Sequence, residues 1–190
     1  SRTALLTGCY PNRLGIVGAL GPKDRHGIHA DETTLGELCH SQKYATCAVG
    51  KWHLGHHQPF LPLQHGFDEY LGLPYSNDMW PVDYDGTPIE QGKAQKATPG
   101  NPHRPYYVPL FLIDGNEKVT PIKDFADQDT LTTRYTERAV KFIDAHHEQP
   151  FFLYLAFTIP HMALQVPEDS LAEYLGKFPE TPYLGQKDYL

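Results

Sequence analysis

Cysteine is scarce. The 190-residue chain has three, Cys9, Cys39 and Cys47. Three thiols cannot all pair, and none sits in a C-x-x-C arrangement, so neither a disulfide framework nor a paired-cysteine metal or redox motif is indicated. Cys39 and Cys47 fall in an apparent helix and an apparent strand, where a buried thiol is the default expectation. No run of about 18 apolar residues exists, so no membrane span is expected. Basic charge is in deficit: 16 Lys and Arg stand against 23 Asp and Glu, a net charge of -7. That argues against nucleic acid as the main partner, because phosphate binding needs a basic face. There is no G-x-S-x-G, no H-E-x-x-H and no Gly-rich phosphate loop. No carboxylate cluster makes an obvious metal site, since Asp83 and Asp85 merely share a polar loop. The chain opens at Ser1 without an initiator methionine or a targeting segment, which leaves export and compartment open.

Turn formers and histidine are plentiful. Seventeen Pro and sixteen Gly predict many turns and long loops, and the length suffices for one domain with a substantial core. Eleven His are either scattered surface residues or the sign of a site that uses imidazoles as ligands or proton carriers.

The chain divides into helical and strand patterns. Ser1 is a candidate N-cap for a short helix ended by Gly8. A second helix is expected from Asp31, a possible N-cap, to Ser41, with Leu35, Leu38 and Cys39 on one face. Tyr44 to Val49 reads as a short buried strand interrupted by Gly50, and Phe67 to Leu73 as another strand running into the loop "PYSNDMWP". Asp83 to Arg104 is polar and irregular. "YYVPLFLIDGNEKV" predicts a hairpin turning at Asp114 to Asn116. The longest helix is expected over Gln128 to His147, with Leu131, Tyr135, Ala139, Phe142 and Ile143 facing the core. "FFLYLAF", Phe151 to Phe157, predicts a strand covered on both faces. Alternating helices and buried strands indicate an α/β sheet with crossover connections, and ligands collect beyond the carboxyl ends of such strands. No internal repeat and no second domain boundary is visible.

Two polar groups stand at those strand ends. Lys51 and His53 would share one face if strand geometry persisted, with Cα atoms about 6.5–7 Å apart. An ammonium and an imidazole aimed into one volume suit an anion with several oxygens; the competing reading is a surface Lys and a loop His. Ser1 and Arg2 offer free backbone N–H groups and a guanidinium, which again suits an anion but equally describes an ordinary capped helix. His161, just after Pro160, could donate a proton to a leaving group or be a plain loop residue. The pairs His56–His57 and His146–His147 are expected to face solvent, the latter favourably near a helix C-terminus.

The order of these motifs resembles the sulfatase family. "SRTALLTG", Ser1 to Gly8, is similar to the family signature C/S-x-P-S-R-x-x-x-L-x-T-G without its first three residues. "KYATCAVGKWHLG" matches G-Y-x-T-x-x-x-G-K-W-H-L-G at every fixed position but the first, where Lys43 replaces Gly. "HGFDEYLGLPYSND" and "FFLYLAFTIPHMALQVP" also resemble arylsulfatase A-like stretches, and the likeness is weakest from Asp83 to Lys123.

The resemblance implies an alkaline-phosphatase-like α/β sandwich with a mixed, mostly parallel central sheet flanked by helices, here a partial catalytic domain over 1–190. It implies hydrolysis of aryl or carbohydrate sulfate esters. The nucleophile would be a formylglycine made from a Cys or Ser just before Ser1, whose hydrated aldehyde attacks sulfur. Arg2 would steady that residue, and Lys51 would bridge it to a sulfate oxygen. His53 would act as the base for sulfate expulsion, and Ser76 would contact nucleophile or sulfate. His161 would bind sulfate and protonate the departing alcohol. A divalent cation, usually calcium, is implied as well, with its ligands expected before Ser1 and after Leu190 and none in this chain. The fragment alone is therefore expected to be inactive and to bind calcium poorly. The implied partner is a small-molecule or glycan sulfate ester, and the family bias in location is toward exported, periplasmic or lysosomal proteins. A metal-dependent phosphatase or phosphodiesterase of the same fold, and a degenerate protein that only binds sulfated glycans, are the alternatives. Specificity is expected in loops such as Trp80 to Arg104, with Trp80, Tyr84, Tyr106 and Tyr107 as candidates for stacking on a sugar or aryl ring, core packing being an equal alternative for the last two.

Overall fold

In the computed structural model, which describes residues 1–83, 86–92, 106–161 and 164–179, a five-stranded mixed sheet runs in the order β4-β3-β2-β1-β5. The strands are β1 (Ala45–Lys51), β2 (Glu69–Leu73), β3 (Leu110–Asp114), β4 (Glu117–Ile122) and β5 (Phe151–Ala156). β1 pairs in parallel with β2 and with β5, while β2–β3 and β3–β4 are antiparallel. Three strands therefore end side by side: Lys51 stands opposite Leu73, and Gly50 opposite Ala156.

Side-chain alternation divides the core between the two faces of the sheet. On one face Cys47, Val49, Leu71, Leu73 and Leu112 pack beneath α4 (Leu131–His146), which contributes Leu131, Tyr135 and Phe142. On the other face Ala48, Tyr70 and Ile113 pack with Trp52, Ile28, Leu20 and Leu6, the last from α1 (Arg2–Thr7). α2 (Leu35–Ser41) borders this second core through the half-buried Leu35. Two short helices, α3 (Phe125–Asp129) and α5 (Glu168–Ala172), flank α4 in sequence.

Several expectations need correction. The second helix starts at Leu35 rather than near Asp31, because Thr34 and Glu37 form a reciprocal capping box: the Glu37 N–H donates to Thr34 Oγ1 at 3.1 Å and the Thr34 N–H to Glu37 Oε2 at 2.7 Å. A helix that begins there turns Leu38 outward, leaving it 53% exposed, and Cys39 is only partly buried; of the two thiols expected inside, Cys47 alone is buried. Ser1 precedes α1 but makes no side-chain cap. Ile143 is exposed on α4, unlike the other residues expected on its inner face. β5 is half-buried rather than covered on both faces, since it is the edge strand of the sheet formed by the described residues. The hairpin is as expected, with Gly115 and Asn116 between the paired Asp114 and Glu117.

The histidines separate by environment. His65 is buried against Trp52, ring centroids 6.3 Å apart, and its carbonyl accepts from Thr34 Oγ1 at 2.7 Å. Burial lowers its pKa, so it is a neutral core residue. His56 is half-buried against Tyr75 and His146 against Phe142, so neither pair is wholly solvent-facing.

Candidate active site

The site forms where the parallel strands end. Gly50 stays within β1 at φ +99, a conformation that suits glycine, and a Cβ there would run into the Ala156 carbonyl of β5. On the other side, a Cβ on Gly72 of β2 would strike the Gly50 carbonyl. The pair lets three strands close tightly while the chain bends just before Lys51.

Lys51, the last residue of β1, is only 6% exposed, and its Nζ donates to Ser76 Oγ at 3.0 Å. Ser76 follows the end of β2 and is buried. Its Oγ lies 3.4 Å from Nδ1 of His161, which follows β5. One polar chain, Lys51–Ser76–His161, thus links the ends of three neighbouring strands. Asp78 borders it, with Oδ1 3.7 Å from His161 Nδ1, which is ion-pair rather than hydrogen-bond range.

Arg2 reaches the same volume from α1. Its Nη1 donates to the Lys51 carbonyl at 2.7 Å and to the Tyr154 hydroxyl of β5 at 2.9 Å. Those two bonds aim the guanidinium independently of any helix-terminus effect, which a six-residue helix would scarcely supply.

His53 arrives by a different route from the one its spacing suggested. The parallel ladder continues one step, from the Trp52 N–H to the Leu73 carbonyl at 2.9 Å. His53 then adopts φ +66 while its N–H donates to the Pro74 carbonyl at 3.1 Å. Extended geometry therefore ends before His53, and the shared strand face is replaced by a left-handed turn. The imidazole still stands beside Lys51, whose charge is felt in its titration, and it is hydrogen-bonded to the Leu20 backbone. Its Nε2 is buried and has no hydrogen-bond partner among the described residues.

Electrostatics follow from crowding cations in a buried place. Burial first, then the Arg2 guanidinium, pulls the Lys51 pKa down to about 8. Burial first, then Lys51, pulls His53 down to about 4, so its ring is neutral at pH 7. The arrangement can accept a tetrahedral oxyanion. Arg2 and Lys51 supply charge, Ser76 and His161 polar contacts, and His53 a neutral imidazole able to take a proton.

The structure thus brings all five sequence-derived candidates together. Trp80 does not join them: it is buried in the core below α4 and is not available for stacking on a ligand. Tyr84 and Asp85 lie outside the described residues, Asp83 is buried, and Tyr106 and Tyr107 are partly exposed. Tyr154 and Asp78 were missed. A tyrosine inside a strand pattern reads as packing, and an Asp in a loop reads as solvent-facing. Only the three-dimensional pairing with Arg2 and His161 distinguishes them. Among the described residues no group of three or more His, Cys, Asp or Glu side chains could hold a metal ion. A calcium site needs about six to eight oxygen ligands. The described residues do not fit that ion by themselves.

A family model described as Sulfatase matches residues 1–186. Arylsulfatase G of Mus musculus is 35% identical over 175 residues, covering 87% of this chain and 32% of that protein. Arylsulfatase A of Bos taurus is 39% identical over 166 residues, covering 82% of this chain and 30% of that protein. The crystal structure of Ps i-CgsB in complex with k-i-k-neocarrahexaose superposes with a TM-score of 0.66 at 26% identity, covering 94% of this chain and 38% of that one. The chain spans about a third of the length of these relatives.

Proposed function

The chain belongs to the sulfatase family, with its alkaline-phosphatase-like α/β fold, and from that premise we propose that the cradle at the ends of β1, β2 and β5 holds the sulfate group of an ester during its hydrolysis. We propose further that residues 1–190 are the central part of the catalytic domain of a longer enzyme. The observation that carries the reading is the polar chain Lys51 Nζ–Ser76 Oγ–His161 Nδ1 with Arg2 and the orphaned His53 Nε2 beside it. An unpaired imidazole nitrogen in a neutral ring is an acceptor, which suits a base facing a hydroxyl proton, and the two cations beside it suit an oxyanion.

In this reading the family's formylglycine, expected next to Arg2, supplies the attacking oxygen. The residues of this chain do the rest. Lys51 and Arg2 neutralise charge on the sulfuryl oxygens, and their positions are fixed before substrate arrives, which is where electrostatic catalysis gains most. Ser76 holds the Lys51 ammonium in place. His53, neutral at pH 7, takes up the proton that must leave when sulfate is expelled. His161, close to half-exposed at the mouth of the site, donates to the departing alcohol. A divalent cation is implied by the family; its ligands would come from elsewhere in the longer protein, and no step is routed through it.

The test is turnover of 4-nitrophenyl sulfate against 4-nitrophenyl phosphate by the full-length protein. Preference for the sulfate by at least a hundredfold in kcat/KM supports the reading, and preference for the phosphate gives the site to the phosphatase alternative. Binding of sulfated glycans without turnover of either ester would mark a non-catalytic homologue. The 190-residue chain by itself should turn over neither.

A further inference from the structure

Two residues on one face of β5 carry the same ring and differ by one oxygen. Phe152 and Tyr154 stand opposite Thr46 and Ala48 of β1, and both pack on Phe67, with ring centroids 5.9 and 6.4 Å away. Phe152 shows that packing at this edge needs no hydroxyl. Tyr154 lies nearer the carboxyl end of the strand, toward the cradle, and its hydroxyl accepts from Arg2 Nη1 at 2.9 Å.

The bond matters because of the nitrogen it engages. Arg2 Nη1 has two N–H groups; one donates to the Lys51 carbonyl at 2.7 Å and the other to Tyr154. With the first alone, the guanidinium could pivot about that bond. Two acceptors on one nitrogen fix the plane of the whole group. They also decide which donors remain. Nε and Nη2 bond to no described residue. Their N–H groups lie parallel along one edge of the guanidinium, the fork that takes two oxygens of an oxyanion. The two acceptors belong to β1 and β5, so the fork is held by the strands that carry Lys51 and lead to His161. Arg2 itself sits in a helix of six residues, too short to hold a long side chain still.

We propose that Tyr154 is a positioning residue for the reaction: its hydroxyl turns Arg2 so that the Nε–Nη2 fork faces the sulfuryl oxygens. This rests on the reading of the cradle as a sulfate-ester site. Tyr154 touches neither substrate nor nucleophile and acts through Arg2 alone. The place requires a hydrogen-bond acceptor, so phenylalanine fills the space and fails the role.

The test uses the full-length protein carrying Tyr154→Phe or Tyr154→Leu, each with Arg2 intact and with Arg2→Lys. It reads turnover of 4-nitrophenyl sulfate, binding of inorganic sulfate by calorimetry, and the midpoint of urea unfolding. With Arg2 intact, Tyr154→Phe lowers kcat about tenfold and moves KM less than about threefold, because the fork acts most on charge that develops in the transition state. It weakens binding of the sulfate dianion about tenfold and leaves the urea midpoint nearly unchanged. Tyr154→Leu shows the same losses and also lowers the midpoint, since it takes the ring away from Phe67. Beside Arg2→Lys, which has no fork to aim, Tyr154→Phe changes kcat and sulfate affinity less than about twofold. Unchanged kcat and sulfate affinity in Tyr154→Phe, or losses that persist in full beside Arg2→Lys, overturn the proposal. An unmodified protein that neither binds sulfate nor turns over the ester overturns it together with the hydrolytic reading. Arg2-dependent weakening of sulfate binding in a protein that turns over no ester keeps the role of Tyr154 and removes the hydrolytic reading.

Discussion

Replacing Lys51 with Met should make the protein more stable while emptying the site of its function. The ammonium is buried at the end of β1, and its pKa falls from an ordinary 10.5 to about 8, through burial first and Arg2 second. A difference of about 2.5 units corresponds to ~3.5 kcal/mol at about 1.4 kcal/mol per unit, or ~3 after allowing for partial solvent screening. The sign is set by linkage: the folded pKa lies below the unfolded one, so the unfolded chain holds the proton more tightly. The native state is therefore destabilised wherever Lys51 is charged, below about pH 8, and recovers as pH rises from about 8 to about 10.5. Methionine fills similar volume without the charge. Losing the bond to Ser76 returns about 1 kcal/mol. The net expectation at pH 7 is a gain of ~2 kcal/mol in urea unfolding, shrinking toward zero or below near pH 10, together with loss of sulfate-ester binding. A variant that is less stable at pH 7, or a difference from the unmodified protein that does not vary with pH, would refute the reasoning.

Three other outcomes follow from the same structure. His53 titrates at about 4 in the fold and near 6.5 unfolded, so native stability should fall as pH drops from about 6.5 to about 4, by ~2–3 kcal/mol after allowing for partial solvent screening; His53→Asn should lack that part of the slope in unfolding measured across the range. Gly50→Ala places a Cβ at φ +99 against the Ala156 carbonyl and should cost ~3 kcal/mol or more in chemical denaturation, with little purchase for relaxation between two paired strands. Lys43 is exposed at φ +66, where the family signature carries glycine, so Lys43→Gly should raise stability by ~1 kcal/mol, read as a shift in the denaturation midpoint.

Much of this was legible in the residues because local chemistry and global fold agree. The continuous apolar run Phe151 to Phe157 gives β5, though not its half-buried edge position, and the helical stripe Leu131, Tyr135, Ala139 and Phe142 gives α4. The turn at Gly115–Asn116 follows from its residue types. The second helix start was misplaced because Asp31 and Thr34 are both competent caps, and only the reciprocal bond with Glu37 selects Thr34. At the site, the residue types suited to an oxyanion could be picked out along the chain, but the geometry that gathers them could not. Lys51 and His53 do converge, but through a left-handed turn that no spacing rule predicts for a histidine. The contribution of Tyr154 depends on β5 lying beside β1, a long-range pairing invisible in either segment alone.

The claim beneath all of this is that Arg2, Lys51, His53, Ser76 and His161 surround a single tetrahedral anion. The most direct measurement is a crystal structure of the full-length protein soaked with a slowly turned-over sulfate ester, with its sulfur located from anomalous scattering. The account predicts one strong ester-sulfur peak, its oxygens within hydrogen-bonding reach of Lys51 Nζ and His161. Ester sulfur found only elsewhere, with Lys51 still bound to Ser76 and the space before His53 filled by water, would contradict it.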